Sequence, residues 1–338
     1  MMVIRPIRKS DFAELVKIAD ESGHGFTSLP NNEELLAAKI ARSEASFIKT
    51  VDCPQDEGYL FVLENTETGE VVGTSAIEAA VGLDDAFYHY HLSKVIHSSR
   101  TLNVYNPVEI LTLCNDYTGA TELCTLFLRE QARKNGNGKL LSKVRFMFIK
   151  EHEDRFADTL LAEMRGVSDE NGKSPFWKWL EEHFFSMDFP TADYLTGIGQ
   201  KVFIAELMPK YPIYVNLLSK EAQEVVGQVH EKTKPAIQLL KNEGFTFNGY
   251  VDIFDAGPTV EAKLNNVRTV RSSSHKKVII GDNAGGQQVM IANTELENFR
   301  ATLADLSFDK DGDDIVITAK MAEALQISEG DTIRIATV

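Results

Sequence analysis

Cysteine is scarce in this chain, and no run of apolar residues is long enough to cross a bilayer. The three cysteines, Cys53, Cys114 and Cys124, are odd in number and are not spaced as metal ligands, so we expect reduced thiols and no metal centre. The first residues have no apolar stretch of the kind that forms a signal peptide. These absences predict a cytoplasmic protein without a membrane-spanning segment or a disulfide framework.

Positive charge is also in deficit. The 35 lysines and arginines face 50 aspartates and glutamates, which gives a formal net charge of −15. A nucleic-acid-binding protein presents a basic face to phosphates, so this balance excludes nucleic acid as an expected partner, while it is compatible with a cationic small substrate. The length of 338 residues allows a large core and predicts two domains or one enlarged domain.

The most informative stretch runs from residue 122 to residue 145. An apolar strand, ELCTLFL at residues 122–128, leads into a turn that fits R-x-x-G-x-G and opens a helix. Glycines let the main chain approach a phosphate group, which the N–H groups and the dipole of a helix start attract. A plain turn is the alternative, but the strand before the motif and the helix after it favour a pyrophosphate site. The candidate residues of the turn are Arg133, Lys134, Asn135, Gly136, Asn137 and Gly138.

Hydrophobic periodicity predicts alternating strands and helices along the chain. A strand at residues 3–7 precedes a helix capped by Ser10 and Asp11, and Asn32 starts a second helix at residues 33–43. Further predicted strands are residues 59–64, 71–77, 107–116, 122–128 and 159–164, with a long helix at residues 139–150. This order predicts the α/β (α+β) class, with a mixed sheet flanked by helices.

The second half of the chain contains a weak internal repeat and a β-rich tail. Residues 175–185 resemble residues 235–245, since both begin with proline at a first helical position and end in phenylalanine; two unrelated amphipathic helices would give the same pattern. Short β-rich runs and glycine-containing turns fill residues 276–338, after a serine-rich linker near residues 271–274. We therefore predict a ligand-binding domain at 1–200, a second α/β segment at 201–270 and a small β-rich module at 271–338.

Two histidines outside the phosphate motif have metal-like spacing. His89 and His91 are two residues apart on an extended segment, without a third ligand nearby in sequence. Two such ligands make a weak metal signal, so we interpret this stretch as a surface or partner contact.

The strand, the R-x-x-G-x-G turn and the helix together resemble the acyl-CoA signature of the GNAT acyltransferase superfamily. From residue 1 to about residue 270, and less closely beyond, the chain resembles the arginine N-succinyltransferase family. The resemblance is carried by NVYN (103–106), ELCTLFL (122–128), AEMRGV (162–167), FFSMDF (184–189), FIAELMPKYPI (203–213) and YVDIFDAGPT (250–259). It implies a GNAT-like sheet enlarged by a second GNAT-like half.

The resemblance also implies a reaction and two site residues. Succinyl-CoA, as co-substrate rather than bound cofactor, would react with L-arginine to give N2-succinyl-L-arginine and CoA, the first step of bacterial arginine catabolism. The family's proton donor corresponds to His230 in GQVH, and its succinyl-CoA contact corresponds to Leu126. By its position alone, just before a helix, His230 equally fits a polar helix-start residue.

The chemistry needs a neutral α-amine, a donor for the thioester oxyanion and a proton for the leaving thiolate. The strand edge at Leu126, Phe127 and Leu128 is the expected oxyanion donor, and His230 is the expected acid. A covalent route through Cys124 is the alternative to direct attack, but its apolar setting favours a buried small side chain.

Substrate contacts are predicted from charge. A guanidinium is best held by carboxylates in a fork geometry, and a carboxylate by arginine or lysine. The candidates are Glu163, Asp188, Asp252 and Asp255 for the guanidinium, and Arg165 and Lys201 for the succinyl or α-carboxylate group. Structural ion pairs are the alternative for each.

Three other functions stay open from the sequence. The chain would equally suit an arginine/ornithine succinyltransferase subunit, a non-catalytic regulatory subunit that binds acyl-CoA or an amino acid, or an enzyme of this fold that uses acetyl-CoA. A homo-oligomer or a hetero-oligomer of related subunits is compatible with each of them.

Overall fold

The computed structural model describes residues 1–23, 28–170, 172–197, 199, 202–283 and 285–338. Lys201, one of the predicted substrate contacts, lies outside the described residues. Within those ranges, no helix is long and apolar enough to cross a membrane. The same ranges contain no cluster of three or more His, Cys, Asp or Glu side chains placed to hold a metal ion.

The described residues form fifteen strands and ten α-helices. The strands are β1 (Met2–Pro6), β2 (Gly58–Asn65), β3 (Glu70–Glu78), β4 (His89–Ser99), β5 (Val104–Cys114), β6 (Thr121–Leu128), β7 (Thr159–Glu163), β8 (Ile213–Tyr214), β9 (Thr246–Val251), β10 (Pro258–Lys263), β11 (Ser274–Ile280), β12 (Gln287–Asn293), β13 (Ala301–Leu306), β14 (Asp314–Ile317) and β15 (Thr332–Thr337). The helices are α1 (Phe12–Ser22), α2 (Glu33–Ile48), α3 (Asn137–Glu151), α4 (Pro175–Leu180), α5 (Phe189–Gly197), α6 (Val202–Leu207), α7 (Lys220–Val225), α8 (Lys234–Glu243), α9 (Arg268–Ser272) and α10 (Ala319–Leu325).

All fifteen strands belong to one mixed sheet. Their order is β14-β11-β15-β12-β13-β1-β2-β3-β6-β7-β10-β9-β4-β5-β8. β6 with β7 and β11 with β14 are parallel, whereas the other neighbouring strands are antiparallel. A mixed sheet with helices packed on it confirms the predicted fold class.

Side-chain alternation along β2 explains how the helices divide between the two faces of the sheet. Leu60 and Val62 pack in the cluster that contains α1 and α2, whereas Phe61 and Leu63 pack in the cluster that contains α3. Helix α3 is buried along most of its length, because it also contacts α8, α9, β13 and β15. It is therefore the central helix of the molecule.

Local signals in the sequence set several helix ends. The Asn32 side chain accepts the N–H of Leu35 at the start of α2. Proline occupies the beginning of both α4 and α8, as the repeat predicts. Gly244, with φ of +102°, ends α8 in the left-handed conformation.

The structure differs from the sequence prediction at the histidine pair. His89 begins β4, which forms a long hairpin with β5, and only the second of these strands was expected. The prediction that His89 lies at the surface is wrong, because the residue is fully buried against the rings of Phe87, Tyr117 and Tyr250. Three aromatic neighbours shield a polar ring that the sequence alone presents as exposed.

The tail also differs from expectation. The segment expected as a linker is the end of α9 followed directly by β11, and β13 and α10 are additional elements. β13 pairs with β1, where Ile4 faces Ala301, so the β-rich tail continues the main sheet. The division of the chain at residues 200 and 270 stays a prediction.

Candidate active site

The sheet opens between β6 and β7. These strands pair only where residues 121–122 lie opposite residues 160–161, and beyond this point no described strand covers that edge of β6. Thr125 has a φ of +53°, and the register of β3 against β6 shifts between Thr74 and Ala76, so β6 carries a bulge here. The divergence separates this stretch of β6 from β7 and makes room for a ligand between the two strands.

A cavity of about 370 Å³ lies in this opening. It is walled by β6, β7, α3, α8 and the turn after β9, and its walls carry charges of both signs. The charged residues are Glu21, Glu122, Glu163, Asp252, Asp255, Arg133, Arg145, Arg165 and Lys232, and the β6 edge adds Cys124, Leu126, Phe127 and Leu128.

A second cavity, of about 350 Å³, adjoins the first. The two share Ser28, Glu122, Cys124, Glu163, Asp252 and Phe254. The second cavity extends to Lys39 and Arg42 of α2, whereas the first reaches α3 and α8. Because α2 and α3 pack on opposite faces of the sheet, the two cavities meet through the opening between β6 and β7.

Acidic side chains dominate the shared wall. Burial raises the pKa of Glu122 to about 8, and the neighbouring Glu163 and Glu78 carboxylates add to the rise. Glu78 itself is paired, with its oxygens 3.1 Å from Lys39 Nζ and 2.6 Å from Arg42 Nη2. Glu122 is therefore largely protonated at neutral pH, and a cation bound beside it would favour its ionised form.

His89 lies next to Glu163 of this acidic wall. Its Nε2 lies 2.9 Å from Glu163 Oε1, but not on the line of a hydrogen bond, and Nδ1 has no partner among the described residues. Burial lowers the pKa of His89 to about 4, although Asp252, Glu122 and Asp116 oppose the shift. The ring is therefore neutral, and it adds no positive charge to the acidic wall.

Two aspartates shape the turn between β9 and β10. Asp252 Oδ1 accepts the N–H groups of Phe254, at 2.7 Å, and of Asp255, at 2.9 Å. Asp255 accepts the N–H groups of Gly166 and Gly257, and burial followed by the Asp252 carboxylate raises its pKa well above the usual value. Asp255 thus ties this turn to the chain that leaves β7, while Asp252 lines both cavities.

The glycine turn is built for close main-chain approach. Asn135 and Gly136 have φ values of +52° and +80°, and the Asn137 side chain donates to the Ala132 carbonyl at 3.0 Å. The φ of Gly136 favours glycine, and a Cβ there would lie 2.9 Å from Leu303 Cδ1, so the Leu303 side chain would have to shift. The first turn of α3 carries no acidic side chain. Its N–H groups therefore form a suitable site for an anionic phosphate.

His230 lies beside the first cavity rather than on its wall. Its main-chain N–H donates to the Arg165 carbonyl at 2.9 Å, and its Nδ1 accepts the Lys232 N–H at 3.1 Å. Burial, followed by the charges of Arg165 and Lys232, lowers its pKa below the usual value. The neutral ring therefore prevails at neutral pH, and the bond at Nδ1 assigns its hydrogen to Nε2.

The predicted substrate contacts separate into two groups. Four of them, Glu163, Arg165, Asp252 and Asp255, come together around the first cavity. Asp188 is exposed and its Oδ1 accepts the N–H of Thr191, which is a capping position at the start of α5. The contacts of the first four with a substrate stay predictions, whereas Asp188 lines neither cavity.

Glu122 and Arg145 are not among the residues predicted from the sequence. Glu122 stands at the start of an apolar strand, and Arg145 interrupts a helix that is otherwise buried and mostly apolar. A charged residue inside an apolar strand or helix is the signal that would have identified both, because burying a charge costs free energy unless the charge is paired.

The comparisons with known proteins agree along the whole chain. Residues 2–269 match the family described as "Arginine N-succinyltransferase beta subunit", and residues 269–337 match the C-terminal domain of that family. Arginine N-succinyltransferases from Escherichia coli (strain 55989 / EAEC) and Shigella flexneri are each 50% identical over 340 residues, covering 99% of this chain and 97% of theirs.

A solved structure is also similar. The arginine/ornithine succinyltransferase subunit AI from Pseudomonas aeruginosa superposes with a TM-score of 0.92 at 36% identity, covering 100% of this chain and 98% of that chain. The architecture described above is therefore shared with a protein of known structure.

Proposed function

The chain belongs to the arginine N-succinyltransferase family, and from that premise we propose that the two joined cavities are its active site. The protein is an acyltransferase that moves the succinyl group of succinyl-CoA to the α-amine of L-arginine, giving N2-succinyl-L-arginine and CoA. The acyl donor enters as a CoA-linked co-substrate.

One observation carries the proposal, namely that two unlike cavities meet at the opening between β6 and β7. The cavity that reaches Arg133 of the glycine turn suits a donor with phosphates, and the acidic cavity suits a cationic acceptor. A donor and an acceptor in these cavities would meet at the β6 edge. Holding the two reactants together in this way is worth roughly 7 kcal/mol or more of the barrier.

The donor lies along the first cavity. We assign the pyrophosphate to the turn at residues 133–138, where the main chain and the start of α3 present N–H groups. The thioester carbonyl then lies against the edge of β6 at residues 126–128, which supplies an N–H to the developing oxyanion. The divergence of β6 from β7 after residue 122 supports this assignment, because it makes room for a donor beside this stretch of β6.

The acceptor lies along the second cavity. Its guanidinium faces Glu122, Glu163 and Asp252, which line both cavities. Binding of this cation promotes ionisation of Glu122, whose pKa is raised to about 8 by burial and by its carboxylate neighbours. The α-amine is thereby directed towards the strand edge where the thioester lies.

His230 serves the leaving group in this proposal. With Nδ1 bound to the Lys232 N–H, Nε2 is the ring atom that carries a transferable hydrogen. The protonated form of the ring gives this hydrogen to the CoA thiolate as the tetrahedral intermediate collapses, and the proton that the attacking α-amine loses on becoming an amide restores that form.

Direct attack needs no covalent intermediate. Burial raises the pKa of the Cys124 thiol, and the Glu122 and Glu78 carboxylates raise it further, so the nucleophilic thiolate is disfavoured. We expect Cys124→Ala to keep kcat within about threefold of the wild type, since the thiol only fills space. Mass spectrometry of the enzyme with succinyl-CoA alone should find no added succinyl group, and a stable adduct on Cys124 would overturn direct attack.

The activity is tested by thiol release from CoA donors. Succinyl-CoA and acetyl-CoA are each mixed with L-arginine, L-ornithine or no acceptor, and free CoA is measured with a thiol reagent. We expect release with succinyl-CoA and arginine, and little with acetyl-CoA. Asp188→Asn serves as a control variant with unchanged kinetics, because Asp188 caps α5 away from both cavities. Absence of release under every condition would favour the regulatory-subunit alternative, and faster release with ornithine would favour the arginine/ornithine alternative.

We also propose a cytoplasmic location, supported by three free cysteines. An oligomer of identical or related subunits stays a prediction, and sedimentation equilibrium of the purified chain tests it.

A further inference from the structure

Two basic side chains occupy the middle of α3, and within the described part of the chain only one of them has a counter-ion. Lys143 Nζ lies 2.9 Å from Glu243 Oε1, and both residues are buried. Arg145 is 1% exposed, and among the described residues its contacts are neutral. Its Nε donates to the Ser142 carbonyl at 3.0 Å, Nη1 to the Cys124 carbonyl at 3.4 Å, and Nη2 to Ser142 Oγ at 3.4 Å.

A buried guanidinium without a carboxylate is costly to keep. Burial lowers the pKa of Arg145 to about 10, so the side chain still carries its charge at neutral pH. A guanidinium has five N–H donors, and the three contacts above leave N–H groups of both Nη atoms uncommitted among the described residues. Arg145 lines the first cavity, so an anionic ligand there can reach it.

Arg145 extends from α3 to β6, and the distance between its contact on β6 and Leu126 fits the length of a short dicarboxylic acyl chain. Its Nη1 contacts the carbonyl of Cys124, two residues before Leu126 on the same strand. Two residues span about 7 Å of a regular strand, and less across the bulge at Thr125. The two carbonyl carbons of a succinyl group are about 4 Å apart, and a charge-assisted hydrogen bond adds about 2.8 Å.

Other cations of the cavity are placed differently. Arg133 is exposed in the glycine turn, and Lys232 is exposed at the rim. Arg165 is half-buried beside His230, with its Nη2 donating to Ser168 Oγ at 3.0 Å. Of these side chains, Arg145 is the one whose charge is buried on the wall near the strand edge.

We propose that Arg145 binds the free carboxylate of the succinyl group and thereby selects succinyl-CoA over acyl-CoA donors without a terminal charge. This inference rests on the proposed function, because it assigns the thioester to the β6 edge. Arg145 is a specificity-determining residue in this proposal, since it contacts the acyl chain rather than the reacting bond.

The test compares succinyl-CoA with butyryl-CoA, which has the same chain length and a methyl group in place of the carboxylate. Arg145→Met in the full-length enzyme should lower kcat/KM for succinyl-CoA by on the order of 100-fold. The value for butyryl-CoA should stay unchanged or rise. Arg145→Lys should recover part of the loss, because lysine keeps the charge but not the fork of donors.

Arg155 provides a matched control. It is also a buried arginine with neutral partners, donating to Tyr59 Oη at 2.9 Å and to the Ser46 carbonyl at 3.0 Å, but it lies outside both cavities. Arg155→Met should lower the melting temperature and leave the ratio of the two donors unchanged.

A binding measurement separates this inference from the reaction itself. In thermal shift without acceptor, succinyl-CoA should raise the melting temperature of the wild type more than butyryl-CoA does, and Arg145→Met should abolish the difference. If wild-type enzyme turns over succinyl-CoA but Arg145→Met keeps the wild-type donor ratio, the inference fails while the function stands. If wild-type enzyme turns over neither donor, the proposed function fails, and the thermal shift alone decides whether Arg145 recognises the carboxylate.

Discussion

At the scale of single residues, the proposed active site contains ionisable side chains whose charged forms are disfavoured by burial. Glu122 has a pKa raised to about 8 by burial and by Glu163 and Glu78. An acid whose pKa is higher in the folded protein than in the unfolded chain holds a proton that the unfolded chain releases. The contribution of Glu122 to the free energy of unfolding therefore falls as pH rises from about 4.5 to about 8. The acidic side chains of the shared wall therefore destabilise the protein without substrate, and a bound cation offsets this loss of stability.

Glutamine at position 122 tests this argument. Glu122→Gln should raise the free energy of unfolding at pH 8 relative to the wild type but not at pH 4.5, since each unit of pKa corresponds to about 1.4 kcal/mol. Its KM for arginine should rise at least about tenfold, because a charged hydrogen bond is worth about 1.5–3 kcal/mol. Chemical denaturation across pH and steady-state kinetics measure the two effects.

Glu57 supplies the opposite behaviour as a control. Burial acts to raise its pKa, but Lys49 and the Gln55 N–H outweigh it, and the net pKa is lowered. Glu57→Gln should therefore destabilise the protein above pH 4.5 and leave the arginine KM unchanged. A parallel pH dependence of the two variants would contradict the role given to Glu122.

A second residue-scale prediction concerns His230. Burial and the charges of Arg165 and Lys232 lower its pKa, so its protonated fraction falls as pH rises through a value below 6.5. His230→Gln should reduce kcat by about 100-fold or more, with small changes in both KM values. The fall of kcat that accompanies deprotonation of His230 is the His230 limb of the pH–kcat profile. Lys232→Met removes a charge that lowers the pKa of His230, so this limb should move to higher pH.

The matched control for that shift is Lys234→Met. Lys234 is exposed, pairs with Glu231 and is not among the charges that perturb His230. An equal shift from both lysine variants would show that the limb does not report the local field at His230.

At the scale of elements, the start of α3 links ligand binding to the C-terminal strands. Gly136 has φ of +80°, and a Cβ there would meet Leu303 of β13 and, at 3.2 Å, Gln288 Oε1 of β12. The turn that we assign to the pyrophosphate is therefore held in shape by a neighbouring part of the sheet.

Alanine at Gly136 should raise the KM for succinyl-CoA by about tenfold or more, because a left-handed residue with a side chain costs about 1–2 kcal/mol and the side chains of Leu303 and Gln288 must also shift. The KM for arginine should stay near the wild-type value. Gly69→Ala is the control, since Gly69 has φ of +72° but open space around it in the β2–β3 turn. If both variants change the donor KM equally, general destabilisation explains the effect.

At the scale of the whole molecule, the C-terminal strands are fastened to α3 by charge. Glu151, at the end of α3, has an oxygen 2.7 Å from Arg334 Nε and 2.8 Å from His275 Nε2. Burial acts to raise the pKa of Glu151, but these two partners outweigh it and the pKa is lowered. The stability this carboxylate contributes is present above pH 4.5 and is lost as pH falls through its lowered pKa.

Glu151→Gln should therefore lower the free energy of unfolding at pH 7 by about 1–3 kcal/mol, because it leaves the buried guanidinium of Arg334 without its counter-ion. Calorimetry at pH 7 and at pH 3.5 measures the change, which should shrink at the lower pH. Glu153→Gln, which removes an exposed i,i+3 partner of Lys150, should cost less than about 0.5 kcal/mol.

Much of the architecture could be predicted because local patterns agree with it. The apolar strand, the glycine turn and the start of α3 follow one another within a few residues, so no long-range contact is needed to predict them. β4 could not be found, since its alternating His, Ser and Lys residues are typical of an exposed segment. Arg145 and Glu122 were missed because their meaning depends on a cavity that forms only when β6 and β7 diverge.

The opening between β6 and β7 has a mechanical consequence. Backbone pairing joins nine strands on one side to six on the other through residues 121–122 and 160–161 alone, within the part of the chain that the structure describes. The two groups of strands are therefore joined by few backbone hydrogen bonds, and a donor bound between β6 and β7 would add contacts between them. Slower amide exchange in β7 and β10 would then report a donor whose pyrophosphate is bound at the glycine turn, in the other group of strands.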